Sequence, residues 1–194
     1  MLALLHLIAA INTWVLRLGR QLAAAGLALM VVVILAQVFF RYVLNDALAW
    51  PDEAARFLML WMTGLTAPSA FRWGGFVAID ALPRALPARA SSILTLLLLA
   101  MSLMVLVAGI RHGYAHTTGF GGRFDSSSLR IPLDWFGGEA VRVKLRYMYA
   151  SLWVGAILLA SVNVELILRE IARLAGRGDA LPSDDAPPIM LEAE

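Results

Sequence analysis

Two stretches of this chain, Leu22 to Phe40 and Ser91 to Ile110, each run about the thickness of a bilayer without one charged residue. A soluble helical domain interrupts every helix with a polar face, so runs of this kind restrict the chain to folds in which lipid covers part of the surface. The remainder agrees, since 60% of the 194 residues are hydrophobic and 15% are charged.

The residues between these runs set the expected boundaries. His6, Thr13, Arg17 and Arg20 follow at intervals of seven, four and three and share one helical face, which predicts an interfacial amphipathic helix over residues 1–20. A cleavable signal peptide is the competing reading, but it wants positive charge ahead of its apolar stretch, and here the arginines follow it. A first span over about 22–43 ends in Phe39-Phe40-Arg41-Tyr42, an aromatic and cationic group suited to the headgroup level. After the loop Leu44 to Trp50, Pro51 suits a first helical position, and Asp52 and Glu53 suit the positive first turn of a second span over about 51–71. That span requires Arg56 to lie at the interface or to be paired, and both acids are within reach of it.

Gly74-Gly75 breaks the second helix, and Pro83 and Pro87 punctuate a short connection to a third span over about 91–110. The connection from Arg111 to Arg146 is rich in glycine and serine between Thr118 and Ser128. It reads as a flexible loop that turns helical again from Gly137. A fourth span over about 147–168 begins at the interface anchors Tyr147, Tyr149 and Trp153. The tail 176–194, with prolines and acidic residues, reads as disordered. The expected fold is an all-α integral membrane protein, with four transmembrane helices preceded by an N-terminal amphipathic helix, in one membrane domain over residues 1–175.

The chemistry expected of the chain is narrow. Without cysteine it has no disulfides, thiolate metal sites or thiol redox chemistry. No basic stripe with interleaved aromatics points to nucleic acid. His112 and His116 have the i, i+4 spacing of two metal ligands, but an interfacial pair of hydrogen-bonding side chains is the plainer reading. No histidine falls inside a span to ligate haem. Ser126 to Ser128 lack a positioned base or a nucleophile-elbow pattern. No catalytic residue, cofactor or metal is expected. The absence of an internal repeat also weighs against a self-contained inverted-repeat transporter.

The polar residues Arg41, Asn45, Asp52, Glu53 and Arg56 gather at the ends of two adjacent spans and predict a charge network closing that hairpin, a structural role favoured over direct ion or substrate binding. Within it Arg41 pairs with Glu53 or Asp52, and Arg56 takes the other acid or a partner's group. Asn163 and Glu165 near the end of the fourth span read as interfacial polar groups or as a contact to another subunit. Gly64, Ala67 and Pro68 behind Trp61, and Ser151, Gly155 and Ser161, form two small-residue tracks. They either face a partner or pack the chain's own helices. Basic residues divide eight against eight between the two sides, so charge bias alone sets no orientation.

The stretch Gln37-Val-Phe-Phe-Arg41-Tyr42-Val-Leu-Asn45, then Leu48-Ala-Trp50-Pro-Asp52-Glu53-Ala-Ala-Arg56, then Trp61, Gly64, Arg72 and Gly75-Phe76-Val77, resembles the DctQ family. These are the small membrane subunits of tripartite ATP-independent periplasmic (TRAP) transporters. Ser128 to Pro132 and Tyr149 to Gly155 are similar to that family's approach to its last helix. Phe76 stands where the family often has His, and the third-to-fourth connection is longer than usual. The resemblance implies a non-catalytic subunit that scaffolds a large multi-span membrane subunit and offers a docking surface to a periplasmic solute-binding protein, in sodium-coupled import of an organic acid. It also implies a bacterial inner-membrane location with both termini cytoplasmic. Two other classes stay open from the residues alone. A membrane anchor of a redox or other enzyme complex would carry a cofactor, and a stand-alone channel or carrier would work in liposomes without a partner.

Overall fold

A computed structural model of the protein describes residues 2–74, 86–131, 141–178 and 181–182. Among these residues four helices carry most of the length: α1 (Leu2–Tyr42), α2 (Pro51–Arg72), α3 (Ala88–Thr118) and α4 (Arg146–Leu174). A 3-10 turn, Phe120–Arg123, and two strands, β1 (Asp125–Ile131) and β2 (Val141–Lys144), lie between α3 and α4. Among the described residues three helices, α1, α3 from Arg89, and α4, are long and apolar enough to cross a bilayer. The 22 residues of α2 include Asp52, Glu53, Arg56 and Arg72, which lower its mean hydropathy below theirs.

The expected amphipathic helix and first span are one continuous helix of 41 residues. At 1.5 Å per residue that is roughly 60 Å, about twice the hydrocarbon thickness. Nothing near residue 20 stops it, because Gln21 to Ala25 are good helix formers and no proline intervenes. Leu5, Ala9, Asn12, Leu16, Gly19 and Ala23 are buried at intervals of four, three, four, three and four. This is a packing seam of coiled-coil spacing. Leu4, Leu7, Ile11 and Trp14 on the outer side are exposed. His6 and Arg17 are also exposed, and the expected N-terminal segment and first span are parts of the same helix.

Contacts at both ends fix the helix directions. Thr13 meets Arg72, and Gln37 meets Asp52, so α1 and α2 run antiparallel. Trp61 donates from Nε1 to the Tyr147 carbonyl at 3.0 Å and Arg72 meets Glu165, so α2 runs parallel to α4. His116 stacks near Tyr149, and a Cβ on Gly113 would lie 3.2 Å from Trp153, which sets α3 antiparallel to α4. The segment of α1 alongside α2 is therefore residues 13–37, shifted toward the N-terminus from the uncharged run.

The tightest crossing joins Gly64 to Gly155. A Cβ on Gly64 would come within 2.6 Å of the Ser151 carbonyl oxygen, and one on Gly155 within 2.9 Å of the Gly64 Cα. Gly64 thus faces Ser151 and Gly155 across α2 and α4, where close backbone approach provides the packing that helices in lipid need, while Ser161 meets Asn12 on α1. The expected helix break falls where α2 ends at Arg72. Gly74 takes a φ of 74°, a left-handed conformation that glycine adopts without a Cβ clash. Gly75, Phe76 and Val77 lie outside the described residues.

The third-to-fourth connection departs most from expectation. Val141-Arg-Val-Lys144 forms β2 instead of helix, and its alternating β-branched and charged residues are a short period-two signal. β1 and β2 pair antiparallel with Asp125 opposite Lys144, Arg130 opposite Arg142 and Ile131 opposite Val141, and an irregularity falls between Asp125 and Arg130. Ser126 to Ser128 belong to β1 and not to a flexible loop. Residues 137–140 of the expected helix lie outside the described residues, as does most of the expected disordered tail. Within that tail the Pro182 carbonyl accepts a 3.0 Å hydrogen bond from Arg169 Nη1.

Candidate functional site

Two polar clusters hold the bundle, one at each end of α2. At its C-terminal end Glu165 on α4 is fully buried. Its Oε1 accepts from Arg72 Nε and Nη2 at 3.2 and 2.8 Å, and from Arg169 Nε and Nη2 at 3.0 and 2.7 Å. Its Oε2 accepts from Asn12 Nδ2 at 2.8 Å. Arg72 donates further to Thr13 Oγ1 at 2.8 Å and to the Ala9 carbonyl at 3.3 Å. Ser161 Oγ donates to Asn12 Oδ1 at 2.7 Å.

Three helices are joined through one carboxylate. A buried charge is tolerated only where its lone pairs are taken up, and the forked guanidinium supplies two parallel donors per arginine. Beside it Arg20 donates to Ser69 Oγ at 3.3 Å and lies 4.7 Å from the Trp73 ring centroid. Asn163 is also fully buried, and neither of its amide atoms has a hydrogen-bond partner among the described residues.

At the N-terminal end of α2, Glu53 Oε2 accepts from the Ser128 backbone N–H at 2.7 Å, Ser128 Oγ at 2.7 Å, the Leu129 N–H at 3.0 Å and Ser127 Oγ at 3.2 Å. The Ser127 N–H adds a 3.3 Å bond to Oε1. The irregular part of β1 wraps this carboxylate, which explains why its pairing with β2 slips there. Asp52 accepts from Gln37 Nε2 at 3.0 Å.

The charge network expected between Arg41, Asp52, Glu53 and Arg56 does not form among the described residues. Both acids turn to uncharged donors, and the Arg41 guanidinium lies 5.9 Å from the Tyr42 ring centroid. A carboxylate at a helix start is met more fully by a cluster of N–H and O–H groups than by one exposed guanidinium. Arg41, Tyr42, Trp50 and Arg56 are exposed, and so is Asn45, which sits at a φ of 51° that asparagine tolerates.

The residues singled out in the sequence therefore divide. Trp61, Gly64, Arg72 and Gly155 join the chain's own helices. Asp52 and Glu53 tie α2 to α1 and to the strands. Arg41, Tyr42, Asn45, Trp50 and Arg56 stand at the surface of one end. Sequence reasoning left Asn12 unremarked and read Glu165 as an interfacial group or a contact to another subunit. The available signal was an ionisable residue inside an apolar helix with Arg169 four positions on. His112 and His116 are exposed, and the His116 ring lies 6.0 Å from that of Tyr149.

Among curated proteins no match to the chain is found. The family of the DctQ component of tripartite ATP-independent periplasmic transporters matches residues 30–173. That range holds the exposed end, both carboxylate clusters except for their α1 partners from the N-terminal half, and the Gly64–Gly155 crossing. The chain belongs to the DctQ family and is a small membrane subunit of a TRAP transporter.

Proposed function

We propose that this chain is the non-transporting scaffold of a sodium-coupled importer of an organic acid. It would hold a large multi-span subunit in the membrane and receive a periplasmic solute-binding protein. The observation that carries the reading is the placement of its buried ionisable groups. Arg72, Glu165 and Arg169 satisfy one another across three helices. Groups so engaged serve assembly, whereas a solute pathway keeps polar groups facing an open cavity. A groove of about 240 Å³ beside α2 is lined by apolar residues such as Leu22, Phe57, Trp61 and Leu65 and offers no carboxylate or other charged side chain to an ion.

In this reading α2 is a fourth span. Supporting it, α2 lies alongside α1 from Gln37–Asp52 at one end to Thr13–Arg72 at the other, and alongside α4 from Trp61 to Arg72. Residues 1–175 then form one membrane domain, and 176–194 a cytoplasmic tail. Both termini face the cytoplasm of a bacterial inner membrane, and the strands face the periplasm. Exposed Arg41, Tyr42, Asn45, Trp50 and Arg56 are the partner-facing residues of the periplasmic end. The exposed apolar faces of α1 and α3, including Val32, Leu35, Met104 and Val105, are covered by lipid and the large subunit.

The test is reconstitution of the chain alone, and with the large subunit and binding protein, followed by measurement of sodium-dependent organic-acid uptake. Uptake is expected only from the complete system. Uptake by the small chain alone overturns the scaffold reading.

A further inference from the structure

The paired strands carry a feature that their own stability does not explain. Arg130 on β1 stands directly opposite Arg142 on β2, and both are exposed. Like charges in directly opposed positions weaken a two-stranded sheet, which is already marginal by itself. Among the described residues neither guanidinium has an ion pair or hydrogen bond. Arg123, Lys144 and Arg146 are exposed beside them, and Asp125, opposite Lys144, is the acidic residue of the described strands. Glu53, the nearest acid on a neighbouring helix, is taken up by Ser127, Ser128 and Leu129.

The same end exposes aromatic surface. Phe120 and Phe124 pack edge to face with centroids 4.9 Å apart and remain 77% and 52% exposed, and Tyr147 is 51% exposed. These rings adjoin the ends of two apolar helices. Thr118 ends α3, Arg146 begins α4, and Leu145 donates to the Phe124 carbonyl at 3.0 Å. Arg142 is four residues ahead of α4, roughly 13 Å along an extended strand. Hydrogen bonds from Ser127, Ser128 and Leu129 to Glu53 tie β1 to the start of α2.

We propose that this basic sheet, with the Phe120–Phe124 pair, is a binding surface for anionic phospholipid headgroups of the leaflet on its side. A phosphodiester supplies the negative charge that the opposed arginines do not find among the described residues and accepts the forked hydrogen bonds that guanidinium groups offer. Exposed aromatic rings beside cations at the end of an apolar helix match the headgroup layer better than the surface of a soluble protein. The bound headgroup offsets the repulsion between Arg130 and Arg142, so the lipid stabilises the sheet that recognises it. The inference does not depend on the transport reading.

The full chain is purified as wild type and as R130Q/R142Q, R130K/R142K and R89Q, the last on the opposite end of α3. Each is reconstituted in a bilayer where phosphatidylglycerol is the minority component in phosphatidylcholine, and the lipid retained is measured by native mass spectrometry. Wild type and R89Q are expected to enrich phosphatidylglycerol. R130Q/R142Q should lose roughly tenfold or more of that enrichment, and R130K/R142K should fall between. Thermal melting should show R130Q/R142Q folded. If it is not, single R142Q is read in its place, with a loss of about fivefold expected. Equal enrichment by R130Q/R142Q and wild type overturns the proposal, and so does an equal loss in R89Q. A variant that keeps the lipid but no longer captures the soluble binding protein also overturns it and marks the surface as a protein contact.

Discussion

Arg72 and Glu165 are 93 residues apart in sequence and 2.8 Å apart in space, with side chains 1% and 0% exposed. The carboxylate between Arg72 and Arg169 binds the end of α2 to α4, and Asn12 brings in α1. Removing one member of such a group leaves uncompensated charge, whereas replacing the whole group by apolar side chains of similar volume is often tolerated. Glu165→Leu is therefore expected to lower stability by about 3–5 kcal/mol. The triple variant Arg72→Met, Glu165→Leu, Arg169→Met should recover a substantial part of that loss. Thermal unfolding in detergent compares the two, and a triple variant less stable than Glu165→Leu would show that the network's geometry, not its charge balance, holds the bundle.

A second expectation concerns the Gly64–Gly155 crossing. Because a Cβ at Gly64 meets the Ser151 carbonyl oxygen and not a flexible side-chain end, the helices themselves must separate. Overpacking of this kind costs about 1–3 kcal/mol, and more for a large residue. Gly64→Leu should broaden or abolish the monodisperse peak in size-exclusion chromatography. Gly26→Ala, whose Cβ would meet Met62 Cγ at 3.5 Å, should elute as wild type. A Gly64→Leu protein that elutes as wild type but loses the large subunit would return this track to the external surface.

The strands depend on Glu53 in a way that amide exchange can read. Glu53→Ala removes the acceptor of the Ser128 and Leu129 N–H groups, and each charge-assisted bond lost costs about 1.5–3 kcal/mol. The amides of residues 127–129 should exchange at least tenfold faster in this variant, while those of α4 stay protected. Asp52→Asn, which alters one exposed contact to Gln37, should leave the strand amides unchanged. Unaltered exchange at Ser128 in Glu53→Ala would mean that the strands hold themselves in place.

What could be read from the sequence follows from the range of each interaction. Pro51 as a helix start, Gly74 as a stop and the uncharged runs at 22–40 and 91–110 are set by neighbours within a turn or two, and each falls in or at the end of a helix as read. The continuity of α1 through residue 20 is not legible because charges at helical spacing suggest a second face, and the contacts that Ala9 and Asn12 make are with α2 and α4. The partner of Glu53 was equally hidden. Arg41 and Arg56 are close in sequence, but the donors that win are 74 to 76 residues away on a strand. The DctQ pattern was legible because its residues cluster around one short loop.

The last prediction tests the number of crossings. The sequence holds no cysteine, so single cysteines can be introduced without further change. Asp46 in the first loop and Arg123 after α3 are both exposed and lie at the end of the bundle where Glu53 meets the strands, while Arg177 follows α4 at the other end. If α2 crosses the bilayer beside α1 and α4, D46C and R123C face the same compartment and R177C the opposite one. With both termini cytoplasmic, a membrane-impermeant maleimide applied to spheroplasts labels D46C and R123C, and labels R177C only after lysis. If α2 stays on one side, D46C and R123C part company, and the antiparallel packing of α1 on α2 is not a transmembrane arrangement. If R177C alone is labelled before lysis, four crossings stand and the orientation is reversed. The strands and the exposed Arg41, Tyr42 and Arg56 then face the cytoplasm, where no periplasmic protein can reach them.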